Sequence, residues 1–199
     1  IIVHTTDFIN DATRGGFNGF ESIPNNGTIF TGAFPYVEDG IAVEQVNGQG
    51  PGDIWVTCGT ECFDPAPQGT CSWSPDGGDA GYTKITRSNG SDFSGVGFLT
   101  GSGWRADPTR TRYVLLDGGS IVLEGFIDKT AGNVVTYLGF SGGGFDEIRV
   151  YDHLASSENT ANALALDSIE IDGSVPEPGM LALIGLSLGA LGLARRRKQ

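Results

Sequence analysis

Short apolar runs separated by glycine-rich turns constrain the fold of this chain more than any other feature. Glycine occurs 32 times in 199 residues and clusters with Asn, Asp, Ser and Pro. The runs between these clusters are rich in β-branched and aromatic residues, which is typical of strands joined by tight turns. Dipeptides such as Asp39-Gly40 and Asn89-Gly90 supply the positive φ that hairpins need. The pattern predicts an all-β fold of antiparallel strands.

Ten segments have the length and composition of strands. They are Thr28–Ala33, Tyr36–Val46, Ile54–Cys58, Tyr82–Arg87, Phe93–Thr100, Arg112–Leu116, Ile121–Asp128, Val134–Phe140, Phe145–Tyr151 and Ala163–Ile171. In Phe145–Tyr151, Ile148 and Val150 share one face while charged residues share the other, as in a half-exposed strand. Ten strands with almost no helical pattern predict two packed antiparallel sheets, a β-sandwich formed by residues 1–174.

The last predicted strand changes its phase along its length. Leu164 and Leu166 occupy even-numbered positions, whereas Ile169 and Ile171 occupy odd-numbered positions and would face the opposite side of a regular strand. A one-residue insertion in a strand restores the match between such halves. We therefore expect a β-bulge near Asp167-Ser168.

Charge is distributed very unevenly along the chain. Residues 1–174 contain eight Lys or Arg against 23 Asp or Glu, a net charge of −15. A field of this sign repels nucleic acid and anionic lipid, and it suits divalent cations or an ion-rich extracellular setting. Nucleic acid is therefore excluded as a partner.

The C-terminal segment, residues 175–199, differs from the rest. Gly179–Ala194 contains no charged residue, and Arg195, Arg196, Arg197 and Lys198 follow at once. A helix of that length spans about 24 Å, a little short of a hydrocarbon core of about 30 Å. Basic residues stay on the cytoplasmic side of a membrane. The tail thus predicts a membrane-anchored helix with the acidic body outside.

Pro176, Glu177 and Pro178, followed by an apolar helix and an Arg-rich end, resemble the PEP-CTERM sorting signal of exported bacterial proteins. The resemblance implies that an exosortase, a membrane enzyme, cuts near this motif and releases or re-anchors the body. Two prolines keep the backbone extended, which suits a protease-like groove. It also implies a location at the cell surface or outside the cell, often in a biofilm matrix with exopolysaccharide.

Three body segments, Tyr36–Val43, Phe145–Ile148 and Leu166–Ile169, resemble parts of the jelly-roll ectodomains that accompany this tail. The resemblance implies a sandwich of jelly-roll type. Jelly-roll binding modules often hold a structural Ca²⁺ where the first and last strands meet, with oxygen ligands. Glu21 and Asp167 are the candidate ligands for such an ion.

Cys58, Cys62 and Cys71 fall within fourteen residues, at the spacing C-x3-C-x8-C, with no histidine nearby. That spacing matches no zinc ligand set, whereas an oxidising compartment permits one disulfide. Either Cys62 or Cys58 can pair with Cys71, and both pairings stay open.

Aromatic residues predict a second function, the binding of carbohydrate. Trp73 lies between Cys71 and Pro75, and Trp104 lies in a Gly-Ser-Gly-Trp-Arg loop, so strand periodicity places neither inside. Exposed indole rings form stacking platforms for sugars. A carbohydrate-binding module for the cell's own exopolysaccharide is therefore the alternative to a plain surface or matrix protein.

Catalytic patterns are incomplete. Gly139–Gly143 satisfies G-x-S-x-G around Ser141, but a glycine run and another strand follow where a nucleophile elbow needs a helix. Glu170-Ile171-Asp172 begins an E-x-D-x-x-E pattern of sandwich glycosidases, with Val175 in place of the third acid. We expect no enzymatic activity, and a glycoside hydrolase is the less favoured alternative.

Overall fold

The computed structural model describes residues 1–22, 35–47, 56–58, 67–75, 81–104, 106–158 and 162–173. Thirteen strands lie in these ranges. They are β1 (Ile2–His4), β2 (Gly16–Asn18), β3 (Tyr36–Glu38), β4 (Ile41–Val46), β5 (Val56–Cys58), β6 (Cys71–Trp73), β7 (Tyr82–Arg87), β8 (Gly95–Ser102), β9 (Thr109–Asp117), β10 (Ser120–Lys129), β11 (Thr136–Ser141), β12 (Glu147–Leu154) and β13 (Leu164–Ile171). The predicted all-β class is confirmed.

The strands form two antiparallel sheets. The first, sheet A, has the order β1-β11-β8-β13-β6-β5, and β2 pairs with β13 beside this path. The second, sheet B, has the order β10-β9-β12-β7-β4-β3. From β8 onward the chain passes repeatedly between the sheets, so neighbours in space come from distant parts of the sequence. This topology brings β9, β10 and β12 together at one side of sheet B.

One hydrophobic core lies between the sheets. Sheet A contributes the inward residues of β8, β11 and β13, and sheet B contributes those of β4, β7, β9 and β12. Fully buried members include Phe20, Ile41, Trp73, Ile85, Phe98, Leu115, Leu138, Phe140, Phe145, Ile148 and Leu164. The predicted alternation of Ile148 and Val150 against Glu147 and Arg149 is confirmed, because the first two are buried and the others are half-buried.

The predicted bulge in the last strand is also confirmed. The β13–β8 register shifts between Asp167 and Glu170, and Ser168 has a φ of 52°. The insertion lets Leu166 and Ile169 both face the core while Asp167 and Glu170 both face the outer side of sheet A. The bulge therefore turns two acidic side chains to the same surface.

Several strand boundaries differ from the sequence prediction. The segment predicted as one strand over Tyr36–Val46 is a hairpin, β3 and β4, because Asp39 and Gly40 adopt positive φ values of 44° and 80°. The short strands β1, β2 and β6 were not predicted. Thr28–Ala33 and the predicted tail helix lie outside the described residues, and the described part of the chain has no helix long and apolar enough to cross a membrane.

Candidate ligand-binding surfaces

The outer side of sheet B presents aromatic and charged side chains on three neighbouring strands. Phe126 of β10 lies opposite Arg112 of β9, and Arg112 lies opposite Tyr151 of β12. Glu124 and Val114 form the next pair along the same ladder. Because directly opposed residues of antiparallel strands point to the same side, these five side chains form one surface, which we call the β9 face.

Cations cover the aromatic rings at this side of the sheet. The Arg110 guanidinium carbon lies 3.9 Å from the centre of the Phe126 ring, and Arg149 lies 4.9 Å from that of Tyr82. Ion pairs hold the cations of this surface in place, since Arg110 bonds Asp128 at 2.7 Å and Arg112 bonds Glu158 at 3.0 Å. The pairs leave this surface close to neutral on a strongly acidic body.

A cavity of about 320 Å³ opens at the β9 face. Tyr113, which is mostly buried, and Gly125 complete its lining beneath the five surface residues. Phe126 is 48% exposed and Arg110 lies over one face of its ring, so the uncovered part of the ring meets solvent. Aromatic planes next to charged hydrogen-bonding groups are the usual ingredients of a sugar site.

A second, larger cavity of about 460 Å³ lies on the outer side of sheet A. Its lining includes Asp7, Arg14, Tyr137 and Glu170. The carboxyls of Asp7 and Glu170 lie close enough to interact, and the Tyr137 hydroxyl donates to Glu170 Oε1 at 3.5 Å. Arg14 lies 4.0 Å from Glu170 Oε2. We call this set the Glu170 cluster.

Glycines in β8 and β11 make room for the Glu170 cluster. A Cβ at Gly97 would collide with the Tyr137 hydroxyl, and one at Gly139 would lie 2.7 Å from the Phe8 ring. Phe8 and Tyr137 therefore lie flat on the sheet. Any larger side chain in place of Gly97 or Gly139 would push these two rings away from it. The alternation of Gly95 and Gly97 with Val96 and Phe98 is the sequence signal of this bare outer surface.

Two acidic groups on this surface have strongly raised pKa values. Burial, reinforced by Asp7, raises the pKa of Glu170 to about 7. Burial also raises the pKa of Asp167 to about 7, although hydrogen bonds from the backbone of Gln68 and Ser168 oppose the shift. The folded protein thus binds protons that the unfolded chain releases at lower pH.

We expect the protein to lose stability as the pH rises from about 4.5 to about 7, the usual and folded pKa of Glu170. Below this range both states hold the proton, and within it only the folded state does, so deprotonation favours unfolding. Glu170→Gln, which keeps a neutral side chain at all pH values, should flatten the decline. Urea titrations at several pH values measure the slope, with exposed Glu124→Gln as the control. An unchanged slope in Glu170→Gln would contradict the assignment.

Glu21 and Asp167, the predicted calcium ligands, approach the same short segment. Glu21 Oε1 accepts hydrogen bonds from the backbone N–H of Thr70 at 2.7 Å and Cys71 at 2.6 Å, and Asp167 Oδ2 accepts one from Gln68 at 2.9 Å. N–H donors suit a carboxylate but not a cation, and the described residues contain no group of three acidic, His or Cys side chains that could hold a metal ion. As described, these contacts anchor residues 68–71 and do not fit a calcium site, which stays a prediction.

The prediction that Trp73 forms an exposed platform is wrong. Trp73 is fully buried in β6, its Nε1 donates to Thr83 Oγ1 at 2.9 Å, and its ring stacks on Phe20 at 5.8 Å. Trp104 is half-buried after β8 and lines neither of the two described cavities. The aromatic surface of sheet B contains neither predicted tryptophan.

Ser141 and His4 lie together in the structure. His4 Nε2 is 2.7 Å from Ser141 Oγ, and the His4 ring stacks on Phe8 at 4.0 Å. Among the described contacts no carboxylate orients His4, and the pair lines neither described cavity. The geometry anchors the short edge strand β1 to β11 and does not complete a catalytic triad.

Comparison with known proteins identifies the C-terminal segment. Residues 174–198 match the PEP-CTERM protein-sorting motif. The PEP-CTERM match indicates an exported protein. It includes Pro176, Glu177, Pro178 and the basic cluster Arg195–Lys198, which lie outside the described residues. No curated protein matches the chain.

Solved structures resemble the body at low identity. A family 35 carbohydrate-binding module from Clostridium thermocellum is 13% identical, with a TM-score of 0.41, over 66% of this chain and 92% of its own. A xylan-binding domain from CBM 22 is 12% identical, with a TM-score of 0.45, over 84% and 100%. A DUF4465 family protein from Bacteroides caccae is 14% identical, with a TM-score of 0.44, over 87% and 100%.

Cys71 is disulfide-bonded. Cys58 lies directly opposite Cys71 in the β5–β6 ladder, whereas Cys62 lies outside the described residues. Both pairings that the spacing permits contain Cys71. A disulfide agrees with passage through an oxidising compartment.

Proposed function

We propose that the chain is a non-enzymatic component of the bacterial surface or extracellular matrix, sorted by an exosortase that cuts near Pro176–Pro178. The PEP-CTERM match at residues 174–198 carries this proposal. The apolar run and basic cluster support transient anchoring in the inner membrane, with the acidic body outside. The C-terminus of the exported protein tests it.

The body, residues 1–174, is proposed to be a jelly-roll sandwich with a binding role. Repeated passage of the chain between two sheets supports that topology. The acidic pair of the Glu170 cluster does not favour glycoside hydrolysis, because Asp7 acts directly on the pKa of Glu170 and so lies next to it. Glycosidases hold their two carboxyls about 5 Å or more apart.

The β9 face favours a second function, the binding of exopolysaccharide. Sugar rings stack on exposed aromatic surface, and Phe126 and Tyr151 lie opposite Arg112 on the two strands beside β9, where one chain of sugars can run across the three. The distribution of basic residues also favours the β9 face as the binding surface. Lys84, Arg110, Arg112 and Arg149, four of the eight basic residues of the body, lie on this side of sheet B. Anionic or neutral polysaccharide is repelled least here.

We expect the double variant Phe126→Ala, Tyr151→Ala to lose at least about tenfold in affinity for polysaccharide, because stacking residues at the centre of a site contribute most of its binding energy. Affinity electrophoresis with soluble xylan, mixed-linkage β-glucan and alginate measures the loss. These probes sample neutral and acidic chains. The exported wild-type protein is first run with each probe, and a probe that retards its migration is then used to compare the variants.

Trp104→Ala is the matched control, since Trp104 is a half-buried aromatic outside the cavity. Binding should survive this change. Retention of binding in the double variant would remove the β9 face as the site, and loss of binding in Trp104→Ala alone would assign the sugar to the loop after β8 instead.

A further inference from the structure

A lysine and an aspartate face each other inside the sandwich. Lys129 Nζ, at the end of β10, lies 2.9 Å from Asp152 Oδ2 on β12. Their side chains are 1% and 0% exposed. The other ion pairs of the described residues have at least one partner that is more than a fifth exposed. This pair is therefore unlike the surface pairs that surround it.

Strand β9 lies between the two residues and fixes their separation. Thr109 is opposite Lys129 in one ladder, and Thr111 is opposite Asp152 in the other. The Thr111 hydroxyl donates to Asp152 Oδ2 at 2.5 Å, and Asp152 N donates to Asn162 Oδ1 at 2.8 Å. Backbone ladders on both sides and a buried amide therefore hold Asp152 in one position.

Hydrogen bonding around the pair is incomplete. Asp152 Oδ1 and Thr109 Oγ1 are buried and have no hydrogen-bond partner among the described residues. An ion pair taken out of water is stable only when its remaining donors and acceptors are satisfied. The pair is thus poorly compensated as two full charges.

Burial also weakens the charged form of the amine. Loss of hydration lowers the pKa of Lys129, and the attraction of Asp152 opposes this shift only in part. Loss of a proton from the ammonium yields a neutral amine, which is a nucleophile. The buried geometry holds this amine at contact distance from the Asp152 carboxyl group.

We propose that Lys129 and Asp152 become joined by an intramolecular amide bond after the chain has folded. Lys129 Nζ forms a bond to Asp152 Cγ, the bond from Cγ to one carboxyl oxygen breaks, and that oxygen leaves with two protons as water. An ammonium and a carboxylate thus give one amide and one water, with no oxidant or other reactant. The Thr111 hydroxyl, already bonded to the carboxyl, is placed to relay a proton.

Such a bond would tie together two strands that do not pair with each other. It links β10, an edge strand, to β12 across β9. Edge strands open first in a sandwich, and a covalent tie restrains the unfolded chain as a disulfide does. Unlike a disulfide, an amide is not broken by reductants. An exported protein that must last outside the cell would gain from this bond.

Intact mass spectrometry of the exported, reduced protein tests the amide. We expect a mass about 18 Da below that of the processed sequence, the mass of one water. Trypsin should then fail to cut after Lys129 and should release residues 113–149 joined to the fragment that begins at Val150. A mass equal to the sequence, or a loss that maps to an Asp-Gly pair such as Asp117-Gly118, would overturn the proposal.

Two lysine-to-arginine variants separate the reaction from folding. Lys129→Arg keeps a cation but removes the primary amine, so its product should have the full mass. Lys84→Arg, in a half-buried ion pair with Glu44, should keep the loss of water. Circular dichroism checks that each variant folds. A loss of water that persists in folded Lys129→Arg would also overturn the assignment.

Discussion

Asp152→Ala is expected to lower the free energy of unfolding by about 3–5 kcal/mol, since removal of one partner leaves an uncompensated charge in the interior. The Lys129 side chain is 1% exposed and pairs with no second acid among the residues that the structure describes, so its ammonium cannot turn to water without opening the end of β10. Any amide between the two residues would also be lost in this variant. That loss would change the size of the decrease in the free energy of unfolding and not its direction.

Asp128→Ala is the matched control for this prediction. Asp128 is the neighbour of Lys129 on β10 and pairs with Arg110, but its side chain is 54% exposed. Exposed ion pairs contribute little to stability, so this variant should unfold close to the wild type. Urea denaturation measures both. Equal effects of Asp152→Ala and Asp128→Ala would mean that the buried pair does not stabilise the sandwich.

Trp73→Ala is expected to destabilise the protein by about 3–5 kcal/mol, the usual cost of truncating a large buried aromatic residue. Trp73 is fully buried between the sheets, where its ring contacts Phe20 and its Nε1 donates to Thr83. The change removes this volume and leaves Thr83 with one partner fewer. Trp73→Phe should recover part of the loss by filling the space without the N–H group.

The outcome for Trp73 distinguishes two views of this residue. If it belongs to the core, Trp73→Ala lowers the urea midpoint strongly and changes binding only through unfolding. If it were an exposed sugar platform, stability would be unchanged while polysaccharide binding fell. Trp104→Ala, at a half-buried position, should have a small effect on stability in the same titration.

Local sequence patterns are sufficient to predict the fold class. Alternation in Phe145–Tyr151 predicts which residues face the core, and the phase change between Leu166 and Ile169 predicts the bulge, because both depend on the period of two within a strand. The sequence prediction joins β3 and β4 into one strand, although it identifies Asp39-Gly40 as a turn. Three-residue strands such as β6 are too short to show any period.

The candidate ligand-binding surfaces depend on which strands are neighbours in a sheet, and a single sequence does not show this pairing. Phe126, Arg112 and Tyr151 come from three strands that pair only in the folded sheet. Lys129 is one of the charges of an acidic body, yet its register with Thr109 places it inside. The sequence predicts that Trp73 lies in a loop because Pro75 follows closely, whereas pairing of β6 with β13 buries it.

Glu21 and Asp167 show which part of a contact a sequence does not reveal. The sequence predicts both as calcium ligands, and in the structure both contact residues 68–71. What they contact is the backbone of a third segment, whose N–H groups the residue pattern does not reveal. The partners of these acidic residues therefore become visible only in the folded chain.

The C-terminus of the exported protein tests the central claim most directly. Top-down mass spectrometry of protein recovered from the cell surface and medium of the producing bacterium should show a chain that ends near Glu177 and lacks Gly179–Lys198. The same measurement on a variant with Pro176, Glu177 and Pro178 replaced by alanine should show the tail retained in the membrane fraction. A mature surface protein with Arg195–Lys198 intact would contradict exosortase sorting.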